Sequence, residues 1–173
     1  GTATDNISMH AEPYRFRAGS AESQWTASSN HTFSNLVPNT QYTARFVARD
    51  KAGNMTEVAQ DIYTKACRPS MSVGGARENS LVITMTDANP SDTEYLISCG
   101  AKYVTKHGTL SQSPEWIKLS GKTIEICDLD ENTLYTFAAK ARCFDGTETA
   151  QSEPASGRTL APPPNVLRFE DVQ

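Results

Sequence analysis

One short pattern occurs twice in this chain and constrains its fold more than anything else in it. Residues 36–43 read Leu-Val-Pro-Asn-Thr-Gln-Tyr-Thr, and residues 129–136 read Leu-Asp-Glu-Asn-Thr-Leu-Tyr-Thr. Both copies are Leu-x-x-Asn-Thr-x-Tyr-Thr, and each runs into an alternating stretch that ends near a glycine, Gly53 or Gly146. Side chains two apart on a strand share a face. Tyr42, Ala44, Phe46 and Ala48 therefore fall on one side of the first stretch, and Tyr135, Phe137, Ala139, Ala141 and Cys143 on one side of the second. Leu36 and Leu129 end the preceding strands as apolar plugs. Pro38, Asn39, Asp130 and Asn132 are turn formers. A tyrosine just past such a bend buries its ring and returns its hydroxyl to nearby backbone.

The remaining strands follow from the same period of two. In the first copy Tyr14–Arg17 precedes the pattern, and Phe33 lies three residues before Leu36. In the second copy the inward set is Tyr95, Ile97 and Cys99, then Ile124 and Ile126 before Leu129. Residues 69–74 and 81–85 supply two earlier strands of the second copy. Last strands are expected at Val58–Thr64 and at about Ala155–Leu160. No stretch of 11 or more residues carries apolar positions at helical spacing with good helix formers. Turn signals recur instead at the intervals of a sandwich.

The repeated corner resembles the bend between the fifth and sixth strands of fibronectin type III domains, whose pattern is Leu-x-Pro-x-Thr-x-Tyr. The resemblance covers nearly the whole chain. It implies an all-β protein of two tandem fibronectin type III-like, immunoglobulin-like β-sandwiches, residues 1–66 and 67–161. Residues 162–173 are then a Pro-rich linker and the start of a further domain. Pro162-Pro163-Pro164 favours an extended polyproline II segment, and Val166, Leu167 and Phe169 read as a first strand. The first domain looks N-terminally incomplete, with Thr2–Ile7 as a late second strand. The stretch from Asp5-Asn6 to Asp50-Lys51-Ala52-Gly53-Asn54 is similar to repeats of bacterial cell-surface proteins.

Composition narrows the function. Net charge is −4, with six acidic and six basic residues in the first 66. No basic field is present to hold a phosphate backbone, so nucleic acid is not an expected partner. No apolar run approaches the roughly 20 residues of a membrane span. His10, His31 and His107 are scattered, and the motifs of hydrolases, zinc proteases and nucleotide-binding loops do not occur. The expected class is not an enzyme, and no cofactor is implied.

Each candidate site has a plain structural alternative. Trp25 and Trp116 offer flat apolar rings on which a sugar would stack, or they cover the open side of each sandwich. Asp5, Asn6, Asp50 and Asn54 gather oxygen atoms at one end of the first domain. They are a weak Ca²⁺ set with only two carboxylates, and turn-forming hydrogen bonds are the better reading. Cys67, Cys99, Cys127 and Cys143 lack CxxC spacing. Strand direction would pair Cys99 with Cys127 and Cys67 with Cys143, while the outward parity of Cys127 opposes the first pairing. Four free thiols fit as well. The expected role is a non-catalytic spacer or adhesion module of a larger extracellular or cell-surface protein. The alternatives are a carbohydrate-binding accessory module or a strand-exchange module. Expected partners are neighbouring domains of the same chain, then carbohydrate or another protein.

Overall fold

Alternating apolar runs form strands when another strand takes up their backbone groups, and the pairing partners define the architecture here. The computed structural model describes residues 8–164. The expectations placed on Asp5, Asn6, residues 2–7 and residues 166–172 lie outside that range. Two compact units meet between Lys65 and Ala66. Among the described residues every strand pairing is antiparallel, and the helical content is one 3₁₀ turn at Ser120–Lys122.

The first unit contains β1 (Met9–Ala18), β2 (Ala21–Glu22), β3 (Gln41–Asp50) and β4 (Met55–Tyr63). They form one sheet in the order β2-β1-β3-β4. The register of β1 on β3 shifts between Met9 and Tyr14. Pro13 lies in that interval and has no N–H to give the ladder, so an irregularity there is expected.

The second unit contains β5 (Met71–Gly74), β6 (Leu81–Met85), β7 (Glu94–Cys99), β8 (Lys102–Val104), β9 (Leu110–Ser111), β10 (Ile117–Lys118), β11 (Thr123–Ile126), β12 (Leu134–Arg142) and β13 (Ala155–Arg158). One sheet runs β13-β12-β7-β8-β9, with β10 also on β7, and the other runs β11-β6-β5. Their inner faces meet in a closed core. Leu81, Ile83, Ile126, Tyr95, Ile97, Phe137 and Ala141 are all buried within it. Fully burying an aliphatic or aromatic side chain of this kind stabilises the fold by about 1.5–3 kcal/mol.

The two units repeat one register. Tyr14, Phe16 and Ala18 of β1 lie opposite Ala48, Phe46 and Ala44 of β3. Tyr95, Ile97 and Cys99 of β7 lie opposite Ala141, Ala139 and Phe137 of β12. The inward positions legible in the sequence are thus equivalent pair by pair. One expected strand is not formed. Residues 27–40 contain none, although His31, Phe33 and Leu36 have the inward parity of strand β11. In the second unit β11 exists because β6 takes up its backbone groups from Leu81 to Thr84. The first unit offers no equivalent partner among the described residues. The inward direction survives without the ladder. The His31 ring stacks on Phe16 with centroids 5.6 Å apart and meets Phe33 edge-on at 4.6 Å.

Candidate functional site

The corner around each repeated tyrosine is built on the same set of backbone hydrogen bonds. Asn39 and Asn132 both sit at φ 46°, a left-handed conformation that asparagine tolerates better than most residues. That turn brings the tyrosine back over the preceding loop. The Tyr42 hydroxyl accepts the Val37 N–H at 2.9 Å, and the Tyr135 hydroxyl accepts the Asp130 N–H at 2.8 Å. The hydroxyls of Thr40 and Thr133 donate to the carbonyls of Pro38 and Glu131, each at 2.8 Å.

A second threonine in each unit completes the corner and was not singled out from sequence. Thr64 Oγ1 accepts the Thr40 N–H and donates to the Val37 carbonyl at 2.6 Å. Thr159 Oγ1 accepts the Thr133 N–H and donates to the Asp130 carbonyl at 2.6 Å. Beside them the Asn39 N–H bonds the Lys65 carbonyl, and the Asn132 N–H bonds the Leu160 carbonyl. The signal was present as Thr64-Lys65-Ala66 and Thr159-Leu160-Ala161. A threonine near a strand end is common enough that only its partners give it meaning. The clamp grips the backbone where each unit's last strand ends.

The tryptophans are also a repeated device. Trp25 lies with the guanidinium of Arg49 4.0 Å from its ring centroid and that of Arg15 at 4.7 Å. Trp116 has the Arg142 guanidinium at 4.9 Å. Arg49 follows Ala48 as Arg142 follows Ala141, so the two arginines occupy equivalent positions. Each tryptophan therefore lies toward the outer face of its sheet, opposite the apolar inner one. A guanidinium over a desolvated ring is worth up to about 2 kcal/mol. A ligand stacking on Trp25 or Trp116 would share the ring with these guanidiniums.

Asp50 and Asn54 close the β3–β4 hairpin. The Asp50 carboxylate accepts the Asn54 N–H at 2.9 Å and Asn54 Nδ2 at 2.7 Å. Hydrogen bonding from the Asn54 side chain holds the Asp50 carboxyl below its usual range, helped by backbone N–H groups and opposed by burial. These oxygens are spent on the turn. Among the described residues no cluster of three acidic, histidine or cysteine side chains is arranged to hold a metal.

All four cysteines are free thiols, so the expected bridges 99–127 and 67–143 are not made. Cys127 follows β11 on its exposed outer side, and Cys99 packs half-buried against the core. Burial pushes the Cys99 thiol pKa up. Cys143 Sγ is buried and accepts the Ala66 N–H at 3.2 Å, while Cys67 is exposed.

Sequence reasoning also missed a polar plug in the second unit. Asp87 has a side chain 2% exposed, and it accepts the Tyr95 hydroxyl at 2.9 Å, Lys122 Nζ at 3.4 Å and the Asn89 N–H at 3.0 Å. Asn89 in turn bonds both the N–H and the carbonyl of Cys67. Burial, then the Asp87 carboxylate, raise the Tyr95 phenol far above its ordinary pKa. A paired buried acid of this kind is structural, and it ties the start of the unit to its core. The histidines do not converge on it. His10 bonds the Glu12 N–H and faces Arg49, His31 stacks on Phe16, and His107 is exposed in the β8–β9 loop.

No protein-family model matches the chain, and no characterised protein matches it by sequence. Solved structures do. A segment of two fibronectin type III domains from chicken tenascin matches over 91% of this chain and 95% of its own length, with a TM-score of 0.54 and 16% identity. The FN1–FN3 domains of chicken CNTN1 match over 86% of this chain and 55% of their own length, with a TM-score of 0.38 and 16% identity. The family 28 exopolygalacturonase of Yersinia enterocolitica matches over 56% of this chain at a TM-score of 0.42 and 16% identity, and the chain spans 21% of its length. Antiparallel sheets, a twice-repeated tyrosine corner and the tenascin match together establish an all-β chain with the fold of tandem fibronectin type III domains.

Proposed function

We propose that this chain is a non-catalytic spacer module of a larger extracellular or cell-surface protein. The observation that carries this reading is the clamp at the end of each unit's last strand. Thr64 and Thr159 hold the departing backbone to the corner through side-chain and main-chain hydrogen bonds arranged alike in both units. A module that only transmits position or tension needs its chain held where it leaves. It needs no convergence of titratable groups. The buried polar residues of the second unit support the same reading, because Asp87, Tyr95 and Lys122 are occupied with one another.

The test is mechanical. Pulled from its two ends, the chain is expected to show a lower unfolding force for the second unit when Thr159 is replaced by valine. The reading fails if that substitution leaves the force unchanged. It fails equally if glycan arrays show binding by the wild type that Trp25→Ala or Trp116→Ala removes, since the carbohydrate module would then be the correct description.

A further inference from the structure

β4 is the outermost strand of the first unit's sheet, next to β3. The Asp50 N–H bonds the Asn54 carbonyl, and the Thr64 N–H bonds the Thr40 carbonyl. Between them the ladder is continuous from the Arg49–Met55 pair to the Gln41–Tyr63 pair. Bonded and unbonded pairs alternate along an antiparallel ladder. Thr56, Val58, Gln60 and Ile62 therefore give their backbone groups to β3. Met55, Glu57, Ala59, Asp61 and Tyr63 turn theirs outward, and among the described residues no strand takes them up.

Natural sheets blunt such an edge with proline, lysine, a bulge or a very short strand. The second unit does so. Its matching strand β13 has four residues and follows Pro154, and beyond it the N–H groups of Ser152 and Thr149 bond β12 along an irregular path. β4 has none of these devices. It is nine residues long without proline or lysine, its register is unbroken, and every one of its residues is exposed. Its two charges are turned back onto its own sheet. Glu57 pairs with Arg45, and Asp61 accepts Gln41 Nε2 at 3.1 Å and the Thr43 hydroxyl at 2.7 Å.

The sequence of β4 also complements itself. When two copies pair antiparallel about Gln60, Glu57 of each lies opposite Tyr63 of the other, and Ala59 opposite Asp61. These are the residues whose backbone groups turn outward. At the alternate positions Val58 of each copy meets Ile62 of the other, and Gln60 meets Gln60. No like charges are opposed. Pairing about Ala59 would set Glu57 against Asp61, and pairing about Asp61 would set that carboxylate against itself. Like charges directly opposite destabilise a strand pair. Of the registers that join outward-turned residues, the one about Gln60 alone sets Val58 and Ile62 on each other.

We propose that β4 is a self-association edge, which pairs antiparallel with β4 of a second copy about a two-fold axis at Gln60. The pairing joins two four-stranded sheets into one through about eight ladder hydrogen bonds. It uses the same strand of both copies, so it closes as a dimer and does not propagate.

The test combines sedimentation equilibrium with amide exchange on residues 1–173. The wild type should be dimeric at about 0.5 mM, where even a small interface assembles. The amides of Glu57, Ala59, Asp61 and Tyr63 should become protected as concentration rises. Ala59→Pro removes an outward N–H and none that β3 uses, and it should weaken the dimer about tenfold or more. Gln60→Lys and Gln60→Glu, at an exposed side chain, should each weaken it about fivefold, and an equimolar mixture of the two should restore it. These two variants decide the matter if Ala59→Pro fails to fold. A wild type that stays monomeric overturns the proposal. So does a dimer that Gln60→Lys leaves intact, or a mixture no tighter than its parts. Protection of the four amides that is independent of concentration also overturns it, because another segment of the same chain then covers the edge.

Discussion

Replacing Thr159 by valine keeps the shape of the side chain and removes only its hydroxyl. Thr159 is buried and serves the Thr133 N–H and the Asp130 carbonyl at once. Leaving its part-buried partners unsatisfied costs about 1–3 kcal/mol. Urea denaturation should therefore show the second unit destabilised by about 2 kcal/mol, and Thr64→Val, at a half-buried site, should cost the first unit less. Tyr135→Phe removes the bond from the Asp130 N–H at 2.8 Å and the longer one to the Asp130 carboxylate at 3.4 Å, and should cost about 1 kcal/mol in the same assay. Asp50 makes a pH prediction. Its carboxyl pKa is lower in the folded chain than in the unfolded one, chiefly through Asn54. The stability it contributes is therefore fully present above the unfolded pKa and is lost as pH falls through the folded value. Acid titration followed by amide exchange of the β3–β4 hairpin should show it loosening at low pH, and Asp50→Asn should remove that dependence.

Among the elements, the turn between β8 and β9 has the least tolerance. Gly108 adopts φ +75°, and a Cβ built there would lie 2.1 Å from the Glu125 carbonyl oxygen. The Gly108 carbonyl meanwhile accepts the Cys127 N–H at 2.7 Å, so the turn is pinned against the end of β11. Backbone cannot yield as a side chain can. Gly108→Ala should cost the second unit about 3 kcal/mol or more, read from the shift of its melting curve. Gly100→Ala is the matched control, since Gly100 has a similar positive φ and open space around it. It should cost about 1 kcal/mol. Strand β6 was legible in the sequence to the residue, and β7, β11 and β12 nearly so, because apolar residues at every second position leave one arrangement that buries them. The expected strand through His31, Phe33 and Leu36 was not formed, because a strand depends on its partner as well as on its own pattern.

Across the whole chain the burial of the four thiols is uneven. Cys67 and Cys127 are exposed, Cys143 is buried, and Cys99 is half-buried with its thiol pKa raised. A thiol reagent followed by mass spectrometry should modify Cys67 and Cys127 in the native chain, and Cys99 and Cys143 only as the second unit opens. Fast labelling of Cys143 in the native protein would contradict the core described here. The repeated Leu-x-x-Asn-Thr-x-Tyr-Thr pattern by itself determined the fold class, the two corners and the inward faces, because turn chemistry and a period of two are local properties of the chain. Tertiary structure alone decided what the exposed side chains and hydroxyls do. It placed arginines over Trp25 and Trp116, turned Asp50 toward Asn54, set Thr64 and Thr159 as clamps and left the cysteines unjoined. Those outcomes depend on residues distant in sequence arriving at one place, and no local pattern records that arrival.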